Sequence, residues 1–334
     1  MIAARIALLA FLVFLTTGCA EFQRLPTEER RTIYVAQGFE GSLLQRYAPV
    51  FLTYGHDHPY NRIGKPTATL DGEGREQIFV DSARPLIYYL IRIFSTEKGT
   101  YTNLIYRVHF PEVPYSLFPF HLTAGRNVGL LIVVTLDAQD RPVLVTTVHT
   151  CGCYVAVIPT TFLPREVLPE GWREEPVEVY GERLPWLLDY TGSDRPRLLI
   201  HVRPGVHRVM NVGIIDEGNL RQSPSFTVVS APLMPMGEME RLPLDGTRTS
   251  FFYQEGIRQG HVKESVKLWE SLFLGLPSLD PLVGSDKAYG DRRETGNPFY
   301  TSLKPWNREA SDMWDFPKFL MFWGWSCNRM VVNA

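Results

Sequence analysis

Residues 128–136, VGLLIVVTL, are apolar at every position but Gly129 and Thr135, and DAQDRP (137–142) and VLVTTVH (143–149) follow at once. Two β-branched runs joined by a short polar link predict a hairpin. A strand wetted on one side alternates apolar with polar residues. The first run does not alternate, so it is expected inside a sheet covered on both faces.

Working outward, PLIYYLIRIF (85–94) and TNLIYRVHF (102–110) flank STEKGT (95–100), which predicts a second hairpin upstream. A proline-aromatic connection, PEVPYSLFPF (111–120), joins the two hairpins. Downstream, residues 159–197 are rich in Pro, Glu and Trp without a period and read as an excursion over the core. RLLIHVRPGVHRVMNVGII (197–215) gives two strands around Arg203, Pro204 and Gly205, and SFTVVSAPL (225–233) gives another. Near the start, Ser42 is placed to cap a short helix in SLLQRY that ends before Pro49. In GIRQGHVKESVKLWESLF (256–273), Val262, Val266, Trp269 and Phe273 form one helical stripe, and SDMWDFPKFLMFWGW (311–325) reads as partly helical with its aromatics packed on the sheet. The expected class is α+β: a predominantly antiparallel β core with flanking helices near the N-terminus and in the C-terminal quarter.

The first 18 residues, MIAARIALLAFLVFLTTG, combine a charged Arg5, an apolar run and a small-residue exit directly before Cys19. That is the pattern of a secretory signal, too short to span a bilayer. LTTGC (15–19) resembles the lipobox of bacterial lipoprotein precursors. The resemblance implies cleavage between Gly18 and Cys19, acylation of the Cys19 thiol and attachment to a membrane surface in the cell envelope. Ala20, rather than an aspartate, further implies the periplasmic side of the outer membrane. More than one acyl chain on a residue gives stable anchoring, each buried methylene contributing about 0.8 kcal/mol. The expected organisation is a signal peptide over 1–18, a lipidated Cys19 with a polar tether over 19–37, and one large β-rich domain over 38–334, helical from about 255 onward.

Charge is nearly balanced, with 34 basic and 36 acidic residues and no basic run, which argues against nucleic acid as a partner and leaves membrane lipid as the one implied. An apolar content of 45% excludes a disordered main body. There is no Gly-x-Ser-x-Gly elbow, phosphate loop, His-Glu-x-x-His or Cys-x-x-Cys.

Only four cysteines occur, and two fall in TVHTCGCYV (147–155) with a histidine beside them. On an unbroken strand His149, Cys151 and Cys153 would share a face, their Cβ atoms about 6.5–7 Å apart. Two thiolates on one metal need their sulfurs closer, near about 4 Å, so the cluster works as a site only where Gly152 bends the chain. Cys327, His109, His121, His201 and His207 are candidates for a fourth ligand. A two-residue turn at Pro204 and Gly205 would put His201 and His207 on opposite faces; a three-residue loop would set them across from one another. Soft thiolates with imidazole suit zinc or copper. The alternative is a disulfide among Cys151, Cys153 and Cys327, since an oxidising compartment favours one. A second candidate is the loop YGHDHPYNRIGKP (54–66), where His56, Asp57 and His58 resemble a metal or general-base loop, with Asp81 and Arg84 serving the same pocket or forming a solvated ion pair. Two functional expectations follow: an envelope lipoprotein acting as a non-enzymatic binding or assembly module with structural cysteines, or an envelope metalloprotein or redox protein built on His149, Cys151 and Cys153.

Overall fold

The computed structural model describes residues 30–96, 99–222, 226–290 and 299–325. In chain order the strands are β1 (Arg31–Gln37), β2 (Val50–Tyr54), β3 (Lys65–Leu70), β4 (Glu76–Asp81), β5 (Ile87–Thr96), β6 (Gly99–Val113), β7 (Gly125–Leu136), β8 (Pro142–His149) and β9 (Ala156–Pro159). They continue with β10 (Val177–Val179), β11 (Glu182–Leu184), β12 (Pro196–Val202), β13 (Val209–Asp216), β14 (Thr227–Pro235), β15 (Leu242–Leu244), β16 (Thr247–Thr249), β17 (His261–Val266) and β18 (Ser285–Lys287). Ten form one sheet in the order β13-β12-β2-β1-β14-β5-β6-β7-β8-β9, and the other eight make two-stranded pairs.

Both hairpins form where the sequence placed them. β5 pairs antiparallel with β6 through Ser95↔Thr100, β6 with β7 through Tyr106↔Ile132, and β7 with β8 through Leu130↔His149. The unbroken apolar run has the expected cause, for β7 carries a core on each face. Leu130, Ile132 and Val134 pack with Tyr106, Val108 and Phe110, while Leu131 and Val133 pack on the opposite side with Ile105 and Val148. Each such buried side chain contributes about 1.5–3 kcal/mol relative to leaving it in water.

The other half of the sheet departs from the antiparallel expectation. β1 runs parallel to β14, β14 parallel to β5, and β12 parallel to β2, so the sheet is mixed. These joints link segments far apart in sequence, about which turn chemistry carries no information. β1 itself lies within the expected tether: from Arg31 the chain enters the sheet between β2 and β14. Thr32, Ile33 and Tyr34 are buried there, and the β-branched and aromatic residues outweigh the charged flank.

The short helix Leu43–Arg46 forms with the Ser42 hydroxyl accepting from Gln45 N, as expected. The predicted helix over 256–273 forms only in its second half, Leu268–Ser278; its first half is β17. Val262, Val266, Trp269 and Phe273 satisfy a helical spacing, yet the polar residues between them have strand-like partners. Lys263 Nζ meets Glu76 Oε1 at 2.7 Å and Glu264 Oε1 accepts from Ile78 N at 3.0 Å, so tertiary pairing overrides the period. Trp269 and Phe273, within the true helix, do stack on one face with centroids 6.1 Å apart. The C-terminal helix Phe316–Phe322 starts at the Asp315 cap and buries Phe316, Phe319 and Leu320 against the second core. Among the described residues no helix is long and apolar enough to cross a membrane.

Candidate functional site

β8 ends at His149, and the chain turns back into β9 through residues 150–155. His149 N donates to Cys153 O at 2.9 Å and Gly152 N to His149 O at 2.8 Å. Gly152 sits at φ +95°, a conformation that L side chains rarely adopt, and a Cβ there would lie 2.6 Å from Tyr300 O. The bend that the sequence required is therefore present, and it joins Cys151 to Cys153 in a disulfide. His149 Nδ1 lies 3.5 Å from Cys151 Sγ, and the ligand-type atoms of His149, Cys151 and Cys153 all fall within 4.8 Å of one another. Cys151 is buried and Cys153 half-buried.

A second layer of charge lies beneath the turn. Lys267 and Asp286 form an ion pair with neither side chain exposed, and Asp286 also accepts from Thr150 Oγ1 and from Gly129 N, the latter at 3.1 Å. Burial alone would raise the Asp286 carboxyl; Lys267 and its hydrogen bonds override this and hold it at about 2. Lys287 Nζ donates to Cys151 O at 2.8 Å, and burial presses its ammonium down to about 8 against the pull of Asp280 and Glu270. His149 is neutral: desolvation, helped by Lys267, pushes it down to about 3, and its Nε2 has no hydrogen-bond partner among the described residues.

The disulfide forms part of the wall of a cavity of about 420 Å³. Phe120, Tyr154, Tyr180, Val206, Leu274 and Trp323 are among its apolar lining, while Glu270 and Arg208 bring charge-bearing groups to it. Tyr154 stands edge-on to His149 at 5.8 Å and to Tyr180 at 4.7 Å. Arg208 Nε is held by Glu182 Oε1 at 2.7 Å, and Glu182 also takes Arg203. Tyr154 and His207 both adopt positive φ, +58° and +59°. Such non-glycine outliers cost on the order of 1–3 kcal/mol each and tend to gather at working sites.

The other expected ligands are dispersed. His121 does line the cavity, with Nδ1 2.9 Å from Pro114 O. His109 Nε2 instead accepts from Arg107 Nε at 2.8 Å, on the sheet face opposite Tyr106, Val108 and Phe110 as strand alternation requires. Neither register foreseen for His201 and His207 occurs, because residues 203–208 make a longer loop. His201 pairs with Asn211 and meets Tyr54 OH at 3.1 Å, whereas His207 stacks on Phe110 at 4.2 Å. In the second candidate loop, His56 Nδ1 faces Tyr34 OH at 3.4 Å and His58 stacks on Tyr60. Asp81 and Arg84 form a partly exposed ion pair at 2.6 Å, the plainer of the two expectations for them. Cys19 and Cys327 lie outside the described residues.

Sequence reasoning missed Lys267, Glu270, Asp286, Lys287 and Arg208. No motif or spacing in the sequence marked any of the five. No family model, curated protein or solved structure matches the chain, so the site has to be read from its own chemistry.

Proposed function

We propose that this chain is a lipid-anchored protein of the bacterial cell envelope whose working part is a redox-active Cys151–Cys153 pair set in the wall of a ligand-sized pocket. The anchor rests on the resemblance of residues 15–19 to a lipobox. The redox reading rests on one observation above the rest: the disulfide lines a cavity, with the less buried Cys153 on one side and a neutral imidazole against the Cys151 sulfur on the other. A structural staple would join distant segments, whereas this bond spans two residues of one turn and closes almost no loop.

The chemistry balances as thiol–disulfide exchange. A thiolate of an external dithiol attacks Cys153, the more accessible partner, forming a mixed disulfide as the bond to Cys151 breaks and Cys151 takes up a proton. The second thiol of the dithiol then displaces Cys153 and leaves as part of its own disulfide, so two electrons and two protons reach the pair. The test is peptide mapping of the native, detergent-solubilised chain after equilibration in graded glutathione buffers. Reversible conversion of the 151–153 peptide between oxidised and doubly alkylated forms is expected. A bond that resists dithiothreitol until the chain is denatured would refute the redox role. Separately, labelled palmitate should be incorporated by the wild type and lost in Cys19→Ser; retained labelling overturns the anchor.

A second reading has its own support, the convergence of three ligand-type atoms within 4.8 Å. Reduced Cys151 and Cys153 with His149 would offer zinc or Cu(I) two thiolates and an imidazole. Stoichiometric metal retained by the reduced wild type and lost in Cys151→Ser supports it; equal metal content in the two sinks it.

A further inference from the structure

The cavity beside the disulfide has a chemistry of its own, independent of whether the bond cycles. Its walls are chiefly aromatic and aliphatic, and its volume of about 420 Å³ falls at the small end of the range for ligand pockets, about 300–1,000 Å³. Charge in it is mostly neutralised. Arg208, the cation among its lining residues, is paired with Glu182, so a ligand anion would have to displace a buried carboxylate. Glu178 stands exposed.

The exception is Glu270, on the Leu268–Ser278 helix. It lines the cavity, is only 6% exposed, and its Oε2 has no hydrogen-bond partner among the described residues. A buried polar atom left unpaired costs about 1–3 kcal/mol, which marks a place where a partner belongs. The charged groups around it are Lys267, just before its helix, and Lys287 and Asp286 on β18; burial outweighs them and raises the carboxyl.

We infer that this cavity is a binding site for a small, uncharged ring compound carrying a carbonyl or hydroxyl oxygen, its ring against Tyr154 and Phe120 and its oxygen hydrogen-bonded to Glu270. Among the described residues, Arg208 is the cation an anion would meet there, and Glu182 already holds it. An ammonium group would require Glu270 to ionise in a site whose burial opposes it.

The test compares three probes sharing one ring system, 1-naphthol, 1-naphthoate and 1-naphthylmethylammonium, titrated into the full oxidised chain in detergent. The Leu274→Trp variant, which fills the cavity, serves as the blank for partition into micelles. Saturable one-to-one binding of 1-naphthol is expected, with both charged probes weaker by about tenfold or more. Glu270→Leu should weaken 1-naphthol by about five- to tenfold, the worth of roughly one net hydrogen bond, without lowering the unfolding temperature. Absence of saturable 1-naphthol binding, a charged probe that binds equally well, or unchanged affinity in Glu270→Leu each overturns the proposal. Because the disulfide stays oxidised throughout, these outcomes are distinct from failure of the redox reading.

Discussion

Nδ1 of His149 lies 3.5 Å from the Cys151 sulfur, and the imidazole has no exposed surface. An imidazole in water is partly protonated near neutral pH and as a cation would favour a neighbouring thiolate. Here desolvation holds it neutral, with Lys267 adding to the effect, so after reduction it can meet the Cys151 thiol as a hydrogen-bond acceptor rather than as a cation. Once the bond is reduced, Cys151 has both a buried position and a partner for its proton, and Cys153 has neither. Cys153 should therefore react first with iodoacetamide at pH 7, several-fold ahead of Cys151. Time-resolved peptide mass mapping checks this, and equal rates at the two sulfurs would contradict it.

The buried histidines make a stability prediction whose sign can be worked out. His149 and His207 are pushed down to about 3 and His261 to about 4, each chiefly by burial. In the unfolded chain a histidine titrates near about 6.5. Between those values the unfolded state binds protons that the folded state refuses, so stability is full above pH 6.5 and falls as pH drops toward 3. Each histidine contributes a slope of about 1.4 kcal/mol per pH unit in that window. His207→Phe, which keeps a ring against Phe110, should reduce the slope between pH 6 and 4 by roughly one proton's worth. Urea midpoints measured across that range read it directly, and an unchanged slope would mean His207 is protonated in the folded protein.

How far these features could be foreseen divides along physical lines. The hairpins β5–β6 and β7–β8 are local, their signals lying in contiguous runs and intervening turns, and the double-sided burial of β7 is written in its lack of alternation. The parallel joints β1–β14 and β12–β2 pair segments that no short-range signal connects. His149, Cys151 and Cys153 were legible because they are neighbours in the chain and only their convergence needed a structural cause, supplied by Gly152. Glu270, Asp286 and Lys287 were not, since a charged residue in a polar stretch looks alike whether the fold leaves it in water or, as with Asp286 under Thr150 and Lys287 on Cys151 O, buries it against a turn 136 residues away. The stretch 256–273 shows the same ambiguity in miniature, a helical stripe whose first half is claimed as a strand by Glu76 and Ile78.

Gly152 holds the turn that makes the site. Gly152→Ala places a side chain on a positive-φ residue and a Cβ 2.6 Å from Tyr300 O, a backbone atom that cannot swing aside. The variant should lose about 1–3 kcal/mol in urea unfolding. Its disulfide should also be reduced faster by dithiothreitol than that of the wild type, because the relaxed turn exposes it. Wild-type stability together with a wild-type reduction rate would show that the turn is not constrained in this way.

Lys267 and Asp286 form an ion pair with no exposure on either side, directly under Thr150. Two ions buried together are compatible with stability, but removing one charge strands the other in a medium that solvates it poorly. Asp286→Asn leaves an acceptor for Gly129 N and Thr150 Oγ1 while abandoning the ammonium of Lys267, and should cost about 3–5 kcal/mol. Lys267→Met alone strands the carboxylate, though Gly129 N and Thr150 Oγ1 still solvate it, so its penalty should be the smaller of the two. Combining Lys267→Met with Asp286→Asn removes both charges and keeps the neutral hydrogen bonds. The double variant should therefore recover at least about 2 kcal/mol relative to the sum of the single losses, a coupling typical of groups in direct contact. Because the Asp286 carboxylate also anchors the residue before Cys151, the single Asp286→Asn variant should expose the disulfide to reductant and the double variant should protect it again. Additive losses in the thermodynamic cycle would mean that the two charges are separated by water in solution and that the turn is held by Gly152 and the backbone alone.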